Sequence, residues 1–316
     1  MAHDHAHDEH GQHGHGDHGH GHHHAPASYD RAFAIGAALN LGFVVAELGA
    51  GLLANSVALL ADAVHNLSDV LALLLSWAAV WLARRPPTPS RTYGWGRFSI
   101  LAALANAIML LIGIGAIAWE AVHRFGAPEA TDTGTVMWVA TIGIAINAAT
   151  AAMFMRGRHG DLNIRAAFLH MAADAAVSLG VVIAALLIGV TGWLWLDPLT
   201  SLLIALIITV GTWDLLRQSM GLALDRVPPG ISTEKLEARL RDLPGVAEVH
   251  DLHVWPLSTT ETALTAHLVC DGTADPDLLH HATEAVEQDF AISHATFQLE
   301  SAADAERCRL RPAHIV

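Results

Sequence analysis

Apolar residues in this chain fall into six long blocks separated by short polar links. The blocks run roughly 31–53, 56–83, 98–122, 135–156, 164–190 and 197–219. Each is long enough for an α-helix to cross ~30 Å of hydrocarbon at ~1.5 Å per residue. The break at Asn55-Ser56 is so short that the first two blocks are expected to form a helical hairpin. The link RRPPTPSRTYGWGR, between the second and third blocks, carries prolines and glycines that end helices. Basic residues cluster in two places: Arg84, Arg85, Arg91 and Arg97 in that link, and Arg156, Arg158 and Arg165 between the fourth and fifth blocks. Of the remaining links only the one between the third and fourth holds a base, Arg124. The positive-inside rule puts both Arg-rich loops in the cytoplasm, and an even number of spans then puts both termini there.

From about Leu224 the pattern changes. Pro228-Pro229-Gly230 marks a linker, and Ser232 to Arg241 reads as a helix with Ser232 as N-cap. Val246 to Trp255 and Thr262 to Val269 alternate as strands, Pro276 to Phe290 reads as a helix, and Ala295 to Leu299 as a last strand. The order α-β-β-α-β predicts a small α+β layer with helices on one face of a short sheet. So few elements lie near the lower limit for an independent core, and dimerisation would help. The fold expected is a polytopic all-α membrane domain of six transmembrane helices (31–222) followed by an α+β cytoplasmic domain (223–303). Residues 1–30 form a His-rich tail and 304–316 a C-terminal tail.

Composition agrees. The 316 residues are 53% hydrophobic and 15% charged, too little charge for the surface of a soluble protein of this size. The net charge of −14 is unevenly placed: residues 1–30 hold five acids and no Lys or Arg, and the segment from Arg226 onward holds 15 acids against seven bases. Such ends attract cations and do not suit nucleic acid. Only Cys270 and Cys308 are present, which excludes a disulfide framework and a thiolate-rich zinc module. The chain does not open on the basic and apolar regions of a secretory signal. Residues 1–24 instead hold eleven His among Gly and Asp, with irregular spacing that reads as a native metal-binding tail rather than a purification tag. The tail either supplies metal at raised local concentration or is a passive, weakly binding segment.

Two phrases carry the chemistry. His65-Asn66-Leu67-Ser68-Asp69 lies in the second block and His170-Met171-Ala172-Ala173-Asp174 in the fifth. Each sets a His and an Asp at i, i+4, on one helix face. A carboxylate in hydrocarbon costs several kcal/mol and needs a partner or a function. A single such residue would more often be a helix–helix hydrogen bond. Two independent pairs make an N2O2 set, and a tetrahedral site of such ligands favours zinc. Metal enters only when imidazole and carboxylate are free of protons, and His titrates near neutrality, so the set suits metal–proton exchange. Asp62 shares this face, either supporting the site or relaying protons, or else facing water near the hairpin turn. Asn40 and Glu47 share a face of the first block and are not read as ligands. Asp197-Pro198 reads as an N-cap and N1 proline opening the sixth block.

With His65, Asp69, His170 and Asp174 in place, the chain resembles the cation diffusion facilitator family, in its zinc-transporting branch. The resemblance extends over essentially everything after Asp30. It also rests on AELGAGLLANSVALLADAVHNLSDVLALLLSW, YGWGRFSILAALANA, LNIRAAFLHMAADAAVSLGVVIAALLI and HDLHVWPLS. It implies a homodimer of six-span protomers in the cell inner membrane, each with a ferredoxin-like cytoplasmic domain, exporting divalent metal from the cytosol by proton antiport with alternating access. Some family members hold a second metal site, of Asp and His, in the loop between spans two and three; this loop has neither. By motif position the resemblance also assigns His250, His267 and His280 as metal ligands of a regulatory site. Gln298 and Glu300 stand where other members use His and Asp, and Glu300 joins the set. His253, His281 and His294 are left as structural or surface histidines.

Three alternatives stay open. The same architecture could move cobalt, nickel or cadmium, since ligand type alone tolerates them. A membrane metal sensor could bind through the same residues and move nothing. An intramembrane metalloprotease would need H-E-x-x-H, which the sequence lacks, so no enzyme is expected.

Overall fold

The computed structural model describes residues 27–155, 162–272 and 277–311. The His-rich segment 1–24 lies outside them. Six long helices come first: α1 (Ala27–Leu53), α2 (Val57–Ala83), α3 (Phe98–Gly126), α4 (Thr133–Phe154), α5 (Leu162–Thr191) and α6 (Leu196–Ala223). Their bounds follow the apolar blocks within a few residues. Five of them are long and apolar enough to cross a membrane, and α1 contributes the apolar stretch Asn40–Leu53. Outward-facing Leu101, Ile112, Leu186, Leu206, Ile207 and Val210 are exposed, as lipid-facing side chains would be. Exposed Trp77 and Trp81 stand near one end of the bundle, with Trp119, Trp138, Trp193 and Trp195 toward the other.

The helix contacts form a closed four-helix ring, α1 against α2 and α4, and α5 against α4 and α2, with α3 and α6 paired alongside α2. The core between them is built from small and branched residues, including Ala58, Leu59, Ala61, Ile114, Ala140, Val181, Ala185 and Ile204. Small side chains let helices approach where no hydrophobic effect separates helix from lipid. Asn55 closes the α1–α2 turn in a left-handed conformation, φ 54°. Arg124, the lone base on that side, explains itself here. Its Nη1 donates to the Asn55 carbonyl at 2.7 Å and its Nη2 to Asn55 Oδ1 at 2.7 Å.

Asp197 corrects one expectation. It does not cap its own helix, since α6 begins at Leu196 with Trp195 in the cap position. Buried at 3% exposure, its carboxylate instead accepts from Ser56 Oγ at 2.5 Å and from the Val57 backbone N–H at 2.8 Å. It thus caps α2 from across the bundle. The start of α2 is buried, so its free N–H groups need an acceptor that water cannot supply, and position 197 reaches them.

The C-terminal domain follows: α7 (Thr233–Arg241), β1 (Val246–Pro256), β2 (Thr262–Cys270), α8 (Leu278–Phe290), β3 (His294–Ser301) and a short α9 (Ala302–Ala305). Ser232 is the N-cap of α7, its Oγ accepting from Lys235 N–H at 3.3 Å. The sheet order is β1-β2-β3, with β1–β2 antiparallel and β2–β3 parallel across α8. On β2, Leu264, Ala266, Leu268 and Cys270 pack against Leu236, Leu240, Leu278, Ala282 and Val286 of the helices. The pleat therefore turns Thr265 and His267 to the opposite face.

The α2–α3 link joins the two parts. Thr259 N–H donates to Ser99 Oγ at 3.0 Å, Tyr93 meets His294 edge to face at 5.4 Å between centroids, and Arg97 pairs with Asp225. Gly96 sits so close to the β1–β2 turn that a Cβ would stand 2.8 Å from the Leu257 carbonyl oxygen.

Two outcomes follow. Asp197→Ala should lower stability by about 1–3 kcal/mol, because it leaves the start of α2 unsatisfied; thermal unfolding in detergent measures it, with Asp197→Asn showing a smaller loss. Gly96→Ala should part the link from the β1–β2 turn, read as faster amide exchange at Thr259 with the α7–α8 core amides unchanged.

Candidate metal sites

α2 and α5 touch over a short stretch, and the four predicted membrane residues lie there. His65 Nε2 is 3.3 Å from Asp174 Oδ1 and 3.9 Å from Asp69 Oδ2. His170 Nε2 is 3.3 Å from Asp69 Oδ2 and 3.7 Å from Asp174 Oδ2. The contacts close a ring in which each imidazole touches both carboxylates, one on its own helix and one across. Ligand atoms of a tetrahedral ion with ~2.1 Å bonds stand ~3.4 Å apart; donor atoms of His65, Asp69 and Asp174 all lie within 4.8 Å of one another, while His170 meets the two carboxylates from the far side of the ring. Asp174 is buried, and His170 is half-exposed with 44% of its side chain accessible, which leaves the site a mouth on that side. His65 Nδ1 is buried without a hydrogen-bond partner.

Polar groups behind the ring hold it. Asp62, fully buried, accepts from Ser178 Oγ of α5 at 2.7 Å, a further bond between these two helices. Of its two readings, the one facing water falls. Glu47, also fully buried, accepts from Asn66 Nδ2 at 2.9 Å, which ties α1 to the ligand-bearing stretch of α2. Ser178 and Asn66 carried no signal in the sequence, since a lone Ser or Asn in a span is ordinary.

The second cluster lies on the open face of the sheet. His250 and His267 are direct cross-strand partners, and Glu300 pairs with Val269, two residues beyond His267. The period-2 pleat puts all three on one face. His267 Nδ1 is 2.9 Å from Glu300 Oε1, and His250 Nε2 is 3.3 Å from Glu300 Oε2. His250 and Glu300 are 8% and 6% exposed, yet both His250 ring nitrogens and Glu300 Oε2 lack a hydrogen-bond partner. Buried polar atoms left this way are costly unless something binds them. A bulge between His250 and His253 puts Asp251 in a left-handed conformation, φ 50°. Its Oδ2 stands 3.6 Å behind His267 Nε2, the carboxylate–imidazole arrangement that orients a metal ligand.

Cys308 Sγ lies beside them, and the donor atoms of His250, His267, Glu300 and Cys308 all lie within 4.8 Å of one another. His280 stands apart within one protomer. It is exposed on the first turn of α8 beside His281, and α8 packs on the other face of the sheet. Gln298 is a donor, its Nε2 bonding Glu300 Oε1 at 2.8 Å. His253 lies 2.9 Å from Asp251 Oδ1, and His294 meets Tyr93.

Apolar helices of membrane length around a ring of imidazoles and carboxylates fit a membrane protein that handles cations. Residues 33–222 match the family description "Cation efflux transmembrane domain", and residues 228–302 match "Cation efflux protein, cytoplasmic domain". The "Metal cation efflux system protein CzcD" of Cupriavidus metallidurans is 36% identical over 88% of this chain and 88% of its own. The "Zinc transporter ZitB" of Escherichia coli is 38% identical over 83% of this chain and 84% of its own. The "Cadmium, cobalt and zinc/H(+)-K(+) antiporter" of Bacillus subtilis is 32% identical over 83% and 86%. A solved metal-bound C-terminal domain of the Cupriavidus CzcD transporter is 32% identical, covering 22% of this chain and 99% of that one, with a TM-score of 0.21. The chain belongs to the cation efflux family, the cation diffusion facilitators.

The geometry around His267 yields a prediction. Asp251→Asn should weaken metal binding at the sheet cluster by about 10–100-fold, measured by chelator competition on the whole protein, with the helical domain unchanged in thermal unfolding.

Proposed function

We propose that this chain exports divalent metal, zinc first, from the cytosol in exchange for protons by alternating access. The observation that carries this reading is the closed ring of His65, Asp174, His170 and Asp69 between α2 and α5. The names of the relatives point the same way: efflux of metal cations, zinc transport, and antiport of cadmium, cobalt and zinc against protons and potassium. The ring takes the ion as cargo and not as a resident cofactor. Each of the four side chains can hold either metal or a proton, and an arriving cation displaces protons from imidazole and carboxylate. When the site opens to the other side, protons taken up there release the metal. The exchange couples metal movement to a proton gradient without any covalent step.

In this reading six spans place both termini in the cytoplasm of an inner-membrane protein. The Arg-rich α2–α3 link and the C-terminal domain then share that side. The αββαβ unit is the family's ferredoxin-like cytoplasmic domain, and two protomers pair through it. His250, His267 and Glu300 hold a regulatory metal there, on the strength of their unpartnered buried atoms. The His-rich tail keeps both of its readings.

Radiometal uptake into proteoliposomes tests the proposal. Zinc accumulation should rise with an imposed proton gradient, and Asp174→Ala should cut the initial rate at least about tenfold, the effect of ~1.4 kcal/mol. Uptake indifferent to the gradient, or untouched by Asp174→Ala, would overturn it. Running cadmium, cobalt and nickel beside zinc ranks the cargo.

A further inference from the structure

We propose that Cys308 is a metal ligand, its thiolate joining His250, His267 and Glu300 in a mixed site for a borderline-soft divalent cation such as zinc, cadmium or cobalt. The inference deepens the cytoplasmic part of the function proposed above and rests on it.

The segment after β3 reverses direction. Ser301 caps α9, its Oγ accepting from Asp304 N–H at 3.2 Å, and the Cys308 N–H bonds the Ala305 carbonyl at 3.2 Å. The turn carries Cys308 back over the open face of the sheet, where its Sγ stands 3.7 Å from His267 Nδ1. A tetrahedral zinc with ~2.3 Å bonds to sulfur and ~2.1 Å bonds to nitrogen sets S and N about 3.6 Å apart. The same His267 nitrogen faces Glu300, and Asp251 occupies the other nitrogen. His267 therefore presents Nδ1 to the point on which Cys308 converges. Two of the other donors, His250 and Glu300, are more than nine-tenths buried, and their donor atoms at this cluster include ring nitrogens and a carboxylate oxygen with no hydrogen-bond partner. Three residues further on, Arg311 forks onto Glu248 at 3.0 and 2.7 Å and holds its carboxyl below the usual range. The segment is thus already pinned at one point, which lowers the entropy lost when the thiolate binds. A thiolate in place of a fourth hard ligand favours softer cations. Bound metal would fasten residues 302–311 to the sheet.

The test uses the full-length protein in detergent with cobalt(II) as probe. The membrane ring contains no sulfur, so a thiolate-to-cobalt charge-transfer band reports the sheet cluster alone. Of the two cysteines, Cys270 is buried in the domain core, and burial pushes its thiol up. It serves as the unreactive reference. We expect the band in the parent and its loss in Cys308→Ser and in His267→Ala. Zinc should protect Cys308 from alkylation and slow amide exchange across 302–311. Chelator competition should show Cys308→Ser weakening zinc at this cluster by at least about 10-fold. Cobalt absorption that depends on Glu300 but carries no thiolate band, with Cys308 alkylated equally fast with and without metal, would leave the regulatory site standing and overturn the ligand role, reducing the contact to a thiol–imidazole hydrogen bond. Cobalt absorption insensitive to Glu300→Ala would overturn both, and flux through the membrane ring would then be judged separately.

Discussion

A carboxylate cannot sit bare in hydrocarbon, and this constraint organises the whole helical domain. Asp69 and Asp174 meet it by touching His65 and His170 in a ring that spans two helices. The ring is therefore a structural joint between α2 and α5, and in the proposed reading it is also the cargo site. In that reading, metal would replace the imidazole–carboxylate contacts by bonds to the ion, and protons would restore them. Either state satisfies the buried charges. The partly satisfied states in between, with a carboxylate ionised and nothing facing it, are the costly ones. That asymmetry links the arrival of one ion to the departure of the other.

The same constraint explains three further buried carboxylates among the described helices. Glu47 is held by Asn66, Asp62 by Ser178, and Asp197 by Ser56 and the Val57 N–H. Each bond joins different helices, so the polar groups specify which helices meet and in what register. The apolar contacts around them, made largely by alanine, would tolerate sliding. Three of the four helices of the closed ring, α1, α2 and α5, are tied together by Glu47–Asn66 and Asp62–Ser178. One bond falls inside the His65–Asp69 stretch and the other beside it, so the ring is positioned by braced helices rather than by isolated side chains.

What the sequence revealed follows from the range of the signal. Helix bounds were legible because lipid demands about twenty apolar residues whatever the neighbours. The membrane ligands were legible because charged residues are rare there and His-x-x-x-Asp repeats at helical spacing. In the small domain, strand alternation and the Ser232 cap marked the elements within a residue or two. Partners that depend on distant chain segments left no local trace. Asp197 before Pro198 has every mark of an ordinary N-cap, and only the packed structure shows the start of α2 beside it. Cys308 lies eight residues past Glu300, beyond the last strand, and only the reversal at α9 turns that separation into a contact. His280 shows the converse. Motif position groups it with His250 and His267, while the helix that carries it packs on the opposite face.

The link between α2 and α3 is where the two metal clusters can influence each other. Its Gly96 and the following Ser99 at the start of α3 meet Leu257 and Thr259 of the β1–β2 turn, and its Tyr93 meets His294 of β3. Its two ends continue into the α2 that carries His65 and Asp69 and into the α3 that pairs with α6. Metal bound on the sheet face, as proposed, would draw His250 of β1, His267 of β2 and Glu300 of β3 toward one ion, and all three strands run directly into the segments touching this link. Such coupling has an effect only if metal binds the sheet cluster with different affinity in the two orientations of the helical domain. The close approach at Gly96 supplies the means. A contact with no slack cannot absorb a shift of the β1–β2 turn, so movement of that turn must be passed to the link or the contact must break.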